Sequence, residues 1–346
     1  MKHKNLRFFC SALAFLALLT LILIPLSRLL ARKSLALPWN TTTKISGFYN
    51  EEQEQFEVMF FGSSHAYAAF SPLELWEETG VKSYVFATQQ QPLWATYTYI
   101  KEALKTQSPS LVVVECRMAF GDREYYDEGV NFSYMDDIPL SWNKAELALR
   151  SVPDTEGRLA LLFNFMMYHD RWNDLHRQDF TFRRSQARDP YKGYVMLPPK
   201  EESWPRPDVE AVAGRTPLLE KNRYWLEEIV RLCREEGAAL WLVKTPSNLE
   251  PEEKALLNSV EDAAARLGVP FHDFNEDYAA IGLSEDMFHD EHHLDAFGAS
   301  RFTRFFARAL TEGWPGLRAD WEDPSWTADM AVYQEELESY RSGVTG

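Results

Sequence analysis

The chain has 346 residues, 45% of them apolar and 14% aromatic, enough for the packed core of one large domain or two ordinary ones, so a mainly disordered protein is excluded. Its 36 basic against 52 acidic side chains leave a net charge of −16, which argues against a nucleic-acid partner and against adhesion to anionic lipid. Three cysteines are too few for a disulfide framework; a bridge between Cys116 and Cys233 competes with two separate buried thiols.

The first element is an uncharged run, residues 8–27, FFCSALAFLALLTLILIPLS. Twenty residues of helix at 1.5 Å each match the ~30 Å hydrocarbon core of a bilayer. Lys2, Lys4 and Arg7 precede the run and favour a cytoplasmic N-terminus, although Arg28, Arg32 and Lys33 follow it and weaken the asymmetry. A cleaved signal peptide is the alternative, with Ser34 and Ala36 as small residues for the cut; the length of the run and the intervening basic residues favour an uncleaved anchor. No second such run follows, so the bulk of the chain is expected on the extracytoplasmic side. The segments are then a cytoplasmic N-terminus and anchor (1–34), a polar linker (35–50), a domain (51–312) and an acidic C-terminal tail with a short helix (313–346).

Five apolar runs of strand length follow, FEVMFFG (56–62), SYVFA (83–87), SLVVVEC (110–116), AALWLVKT (238–245) and PFHDF (270–274). Helical patterns at 93–106, 218–236 and 251–267 separate them, and Gly237 and Gly268 stand where two of those helices should stop. The alternation predicts an α/β fold with three layers, helices on both faces of a mainly parallel sheet of five strands. Residues 117–217, rich in Tyr, Trp, Arg and Pro, break the alternation and read as a large insertion that caps the sheet's functional edge. His169 and Arg171 lie there in YHDRWNDLHRQDF and are candidates to line a substrate site; Arg171 beside Trp172 is equally consistent with a structural stack.

In such a sheet ligands bind beyond the carboxyl ends of the strands, where GSSH (62–65) follows the first. Ser63 or Ser64 is placed for nucleophilic attack, or else the serines cap the helix that follows. After the fifth strand comes FHDEHHLDAFGASRFTRFFARAL (288–310). The two-residue gap between Asp290 and His293 lets the carboxylate hold one imidazole nitrogen while the other faces the crevice. Asp295 reads as an N-cap, with Phe302, Phe305, Phe306 and Ala309 as the apolar stripe of a terminal helix. The cluster also raises a metal, because His289 and His293 are four apart; the zincin pattern needs Glu where Asp290 stands, and no third ligand is evident, so no metal or other cofactor is expected. His65 reads as a neighbour of the site rather than its base.

FFGSS after the first strand and DEHHLDAFGA before a C-terminal helix resemble the SGNH (GDSL-like) hydrolase superfamily. The resemblance is to its membrane-anchored cell-envelope branch, which includes teichoic-acid D-alanyl transfer and alginate O-acetylation proteins. It covers about residues 51–312 and implies a flavodoxin-like sheet, with Ser64 as nucleophile, His293 as base and Asp290 as its acid partner. The function it implies is a serine acyl esterase or O-acyltransferase on an acylated cell-surface glycan or polymer, held to the membrane by the N-terminal helix, with a membrane-bound acyltransferase as a candidate partner. The family's oxyanion-hole glycine and asparagine are missing: ATQQQP (87–92) and ECRMAF (115–120) occupy those loops. Gln89, Gln90 or Gln91 is expected to supply an amide donor, with the backbone N–H of Ser64 or His65 as a second. Glu115 and Arg117 are either an ion pair or substrate contacts. Because of the missing donors, the competing reading is a catalytically impaired module that binds glycan or scaffolds an envelope assembly.

Overall fold

A computed structural model describes residues 2–343. Met1 and the end of the C-terminal stretch, 344–346, lie outside it, as do the side chains of Lys2, His3, Lys4 and Asn164. The first helix, α1 (Lys2–Leu30), carries the uncharged run. Within its segment Asn5–Leu30 the most apolar stretch has a mean hydropathy of 2.6 and is bare of the rest of the protein, so the segment is long and apolar enough to cross a membrane.

Residues 41–48, expected to be part of a polar linker, form a helix instead, α2 (Thr41–Phe48). Ile45 and Phe48 enter the core, and Lys44 is buried with Asp189 at 3.4 Å. TTTKIS is a poor helix sequence, so tertiary packing rather than propensity fixes this element. Next come β1 (Val58–Phe61), α3 (Ser64–Tyr67), α4 (Pro72–Thr79), β2 (Ser83–Val85), α5 (Leu93–Ala103) and β3 (Leu111–Glu115).

The insertion folds as five short helices, α6 (Glu128–Met135), α7 (Trp142–Ser151), α8 (Thr155–Leu162), α9 (Asn164–Tyr168) and α10 (Arg177–Thr181), and a long irregular return. The alternation resumes with α11 (Glu220–Glu235), β4 (Ala239–Lys244), α12 (Pro251–Leu267), β5 (Phe271–Asp273), α13 (Tyr278–Ile281), α14 (Ala296–Gly313) and α15 (Pro324–Arg341). α15 is no short tail helix. Its 18 residues bury Trp326 and Tyr333, and the Tyr333 hydroxyl donates to the buried Glu74 on α4 at 2.8 Å.

The sheet order is β2-β1-β3-β4-β5, and every neighbouring pair is parallel. This is the flavodoxin-like order, and the chain's reversal of direction across the sheet at β1 sends successive crossover helices to opposite faces. The central strands are apolar up to their carboxyl ends because helices cover both faces: Val58 to Phe61 and Leu111 to Val114 are all at most 1% exposed. The reversal sets the carboxyl ends of β1 and β3, the place where such sheets bind ligands, next to the turn that carries Ser63 and Ser64. Cys116 and Cys233 are separate buried thiols.

Candidate functional site

β1 ends at Gly62, whose φ of +147° is a conformation that residues with a side chain rarely adopt; an added Cβ would lie 3.0 Å from the Glu115 Cβ and 3.2 Å from that of Ala66. Glycine therefore lets the chain turn abruptly out of the sheet into α3. The two serines that follow differ in their partners. Ser63 is the N-cap, its Oγ accepting from the His65 N–H at 3.4 Å. Ser64, in the first turn and 8% exposed, directs its Oγ to His293 Nε2 at 2.8 Å.

His293 is held from the other side. Asp290 accepts at its Nδ1, 2.8 and 2.9 Å from the two carboxylate oxygens, and also takes the backbone N–H groups of His292 and His293 at 2.9 Å. Burial raises the Asp290 carboxyl, but the His293 hydrogen bond and charge and those two backbone donors outweigh it and hold the group well below the usual carboxylate range. With Asp290 ionised, the proton sits on Nδ1 and Nε2 is left to accept from Ser64. The loop is fastened at its end by Asp295, the N-cap of α14, which accepts from Phe297 and Gly298 at 2.9 and 2.8 Å; Phe302 and Phe306 beyond it are fully buried. The sequence thus brings three residues from opposite ends of the chain into one hydrogen-bonded line.

The layer beneath holds a charge pair of which the sequence reading named only Glu115. Lys244, the last residue of β4, and Glu115, the last of β3, are both fully buried and lie 3.3 Å apart. Lys244 also donates to the Thr245 carbonyl at 2.7 Å and faces His65 Nδ1 at 3.4 Å. An ammonium can only donate, so His65 carries its proton on Nε2. Burial, followed by the charge of Lys244, lowers His65 well below its ordinary range, which keeps it neutral 5.0 Å from the His293 ring. Glu115 thus pairs with Lys244 and accepts the Arg117 N–H at 3.1 Å, while the Arg117 guanidinium reaches Glu253. Tyr67, three residues after Ser64, is the other residue the sequence did not single out: burial raises its phenol far above the usual range against a hydrogen bond with Ser64. It stays a neutral phenol beside the serine.

The glutamines stand differently from expectation. Gln91 is fully buried, its amide oxygen accepting from Thr88 at 3.1 Å and its nitrogen donating to Thr96 at 3.1 Å; Gln89 and Gln90 are exposed. Among the described residues none of the three hydrogen-bonds to Ser64, His65 or His293.

The insertion divides into two parts. Its return passes the site: the Val195 N–H donates to the Tyr67 carbonyl, and the Leu197 carbonyl accepts from Ala296. Gly193, where a Cβ would meet the Val85 carbonyl at 1.9 Å, permits that close passage. His169 and Arg171 are not there. His169 is exposed, and Arg171 donates to the carbonyl of Leu30, the last residue of α1, at 2.6 Å, so these two are corrected from substrate-lining residues to neighbours of the N-terminal helix. Two cavities, of about 430 and 300 Å³, open at the opposite, amino-terminal edge of the sheet beside Lys82 and Leu240 and take no part in this arrangement.

No protein-family model and no curated protein matches the chain. Among solved structures it is similar to a Bacteroides fragilis protein described as a "putative acylhydrolase", at 12% identity and a TM-score of 0.35, over 82% of this chain and 99% of that one. A superposition at that score carries no argument about function.

Proposed function

We propose that the protein is a membrane-anchored, extracytoplasmic serine acyl esterase or O-acyltransferase of SGNH type, acting on an acylated cell-surface glycan or polymer through an acyl-enzyme. The observation that carries this reading is the unbroken line Ser64 Oγ, His293 Nε2, His293 Nδ1, Asp290, with both links at 2.8 Å. Ser64 loses its proton to His293 as its Oγ bonds to the ester carbonyl carbon. His293 then returns that proton to the departing alkoxide as the ester C–O bond breaks. Water or a sugar hydroxyl attacks the acyl-Ser64, giving up its proton to His293, and the proton passes back to Ser64 as the acyl bond breaks. Asp290 stays ionised and holds the imidazole throughout.

Two donors support the developing oxyanion in place of the missing family residues: the Ser64 backbone N–H, at the start of α3 where no helical carbonyl precedes it, and the Tyr67 hydroxyl. The competing reading, an impaired binding module, has the orientation of the glutamines in its favour. A fluorophosphonate probe separates the two. Stoichiometric labelling of Ser64, lost in Ser64→Ala, is expected of the enzyme, and an unlabelled but folded chain would establish the module. The topology has its own check: protease added to spheroplasts should remove everything beyond α1.

A further inference from the structure

The function proposed above makes no use of α8 to α10, yet these elements hold the end of α1 tightly. The carbonyls of the helix's last turn are all taken by the protein. Lys33 Nζ donates to those of Arg28, Leu29 and Ala31 at 2.8, 2.9 and 2.8 Å, and Arg171 donates to that of Leu30 at 2.6 Å. Asp179 on α10, with no exposed side-chain surface, pairs with Lys33 at 3.1 Å and with Arg171 at 3.3 Å. Helix ends in water usually leave such carbonyls to solvent; this one is capped by buried charges, as a helix emerging into a dry boundary requires. Leu30 and Ala31 then pack against Tyr168 on α9, with Phe165 and Leu175 around them.

The same elements leave large apolar side chains in solvent, among exposed polar ones. Phe163, Met166, Trp172 and Phe180 are 48, 41, 71 and 56% exposed, and Leu37 and Trp39, on the chain leaving α1, are 61 and 43% exposed. Large aromatic side chains left bare in one neighbourhood call for a partner. The charge there also departs from the rest of the molecule: residues 28–33 and 169–188 hold eight basic against three acidic side chains in a chain of net charge −16. Arg28, Arg32, Arg177 and Arg183 among them are exposed. Bare aromatics and exposed arginines on elements packed at the exit of a helix able to cross a bilayer match the chemistry of an anionic headgroup layer.

We propose that this face of the insertion, with Leu37 and Trp39, rests in the headgroup layer of an anionic membrane and thereby seats the Ser64 crevice close to lipid. Trp39 makes the link to the crevice: its ring meets that of His289 edge-on at 6.0 Å, one residue before Asp290. Eight residues lie between Leu30 and Trp39, a reach of at most about 30 Å of extended chain, and the pairing of Ser34 with Thr42 at 3.0 Å folds that chain back on itself. The membrane-resting surface does not depend on the acyl chemistry.

The test places single spin labels on the full-length protein in nanodiscs, in a Cys10→Ser background, through Phe163→Cys, Trp172→Cys and Phe180→Cys. Labels at Leu16 in α1 and Tyr224 on α11 serve as membrane and water references, and unchanged circular dichroism certifies each fold. In discs containing phosphatidylglycerol, at least two of the three labels should relax more with oxygen than with a water-soluble nickel chelate, as at Leu16. In discs of phosphatidylcholine alone, or with Arg177→Gln and Arg183→Gln, they should shift toward the nickel-accessible behaviour of Tyr224. Labels that all behave like Tyr224 in the anionic discs would overturn the surface, and accessibility indifferent to headgroup charge would overturn its assignment to anionic lipid.

Discussion

Lys244→Met removes the cation from beneath the site and leaves the rest in place. Lys244 and Glu115 have no exposed side-chain surface, so no water can take over, and the Glu115 carboxylate would keep only the Arg117 N–H at 3.1 Å. Breaking a buried pair from one side costs about 3–5 kcal/mol because an uncompensated charge remains. At about 2–4 °C per kcal/mol, the melting temperature should fall by roughly 6–20 °C. Neutralising the survivor in Glu115→Gln/Lys244→Met should recover most of this, to within about 1–2 kcal/mol of the parent, since two neutral side chains of similar volume need no counter-charge. Thermal unfolding of the full chain in detergent, followed by circular dichroism, measures both. A single variant as stable as the parent, or a double variant no better than the single, would refute the reasoning.

Tyr67→Phe keeps the buried ring and deletes one donor, so kcat on an activated acyl ester should fall roughly 10²-fold with KM unchanged, and an unchanged kcat would remove Tyr67 from the oxyanion site. Asp295 is raised by burial from 3.8 to about 6, against the Gly298 and Phe297 N–H groups that oppose the rise. A carboxyl raised in the folded state binds its proton more tightly there than when unfolded, so its contribution to stability is fully present below about pH 4 and lost as the pH rises through 6. Asp295→Asn, which keeps the N-cap, should therefore raise stability at pH 8 by up to about 3 kcal/mol and have little effect at pH 4, as denaturant titrations at the two values would show.

The strands could be read from the sequence because burial on both faces leaves apolar runs such as LVVV in β3; the alternation with helices implied a parallel sheet, and its flavodoxin-like order was what the family resemblance implied. The Asp290 to His293 spacing was equally legible, since a two-residue gap in a loop brings carboxylate and imidazole together without help from distant chain. What escaped depends on contacts between distant segments. α2 has the composition of a linker and is helical through its buried face, with Lys44 drawn to Asp189 across the core. Gln91 has the chemistry of an oxyanion donor, but Thr88 and Thr96 occupy its amide, which no local pattern reveals. Arg171 was placed with the substrate because it lies in the insertion expected to cap the sheet's functional edge; the carbonyl it serves lies 141 residues earlier, at the end of α1. Tyr67 sits in an aromatic stretch that reads as core, and only the turn of α3 sets its hydroxyl against Ser64. Of the two serines, sequence could offer both as cap or nucleophile, and the fold assigns one to each position.

The acyl-enzyme is the point on which the account rests, and it can be weighed directly. The full chain is mixed with p-nitrophenyl acetate, quenched in acid within the first turnover and digested for mass spectrometry. One acetyl group should appear on the peptide carrying Ser64, be absent from Ser64→Ala, and accumulate far more slowly in His293→Ala. Acetylation of Ser63 or Tyr67 instead, or an adduct that forms at the parent's rate without Ser64, would contradict it.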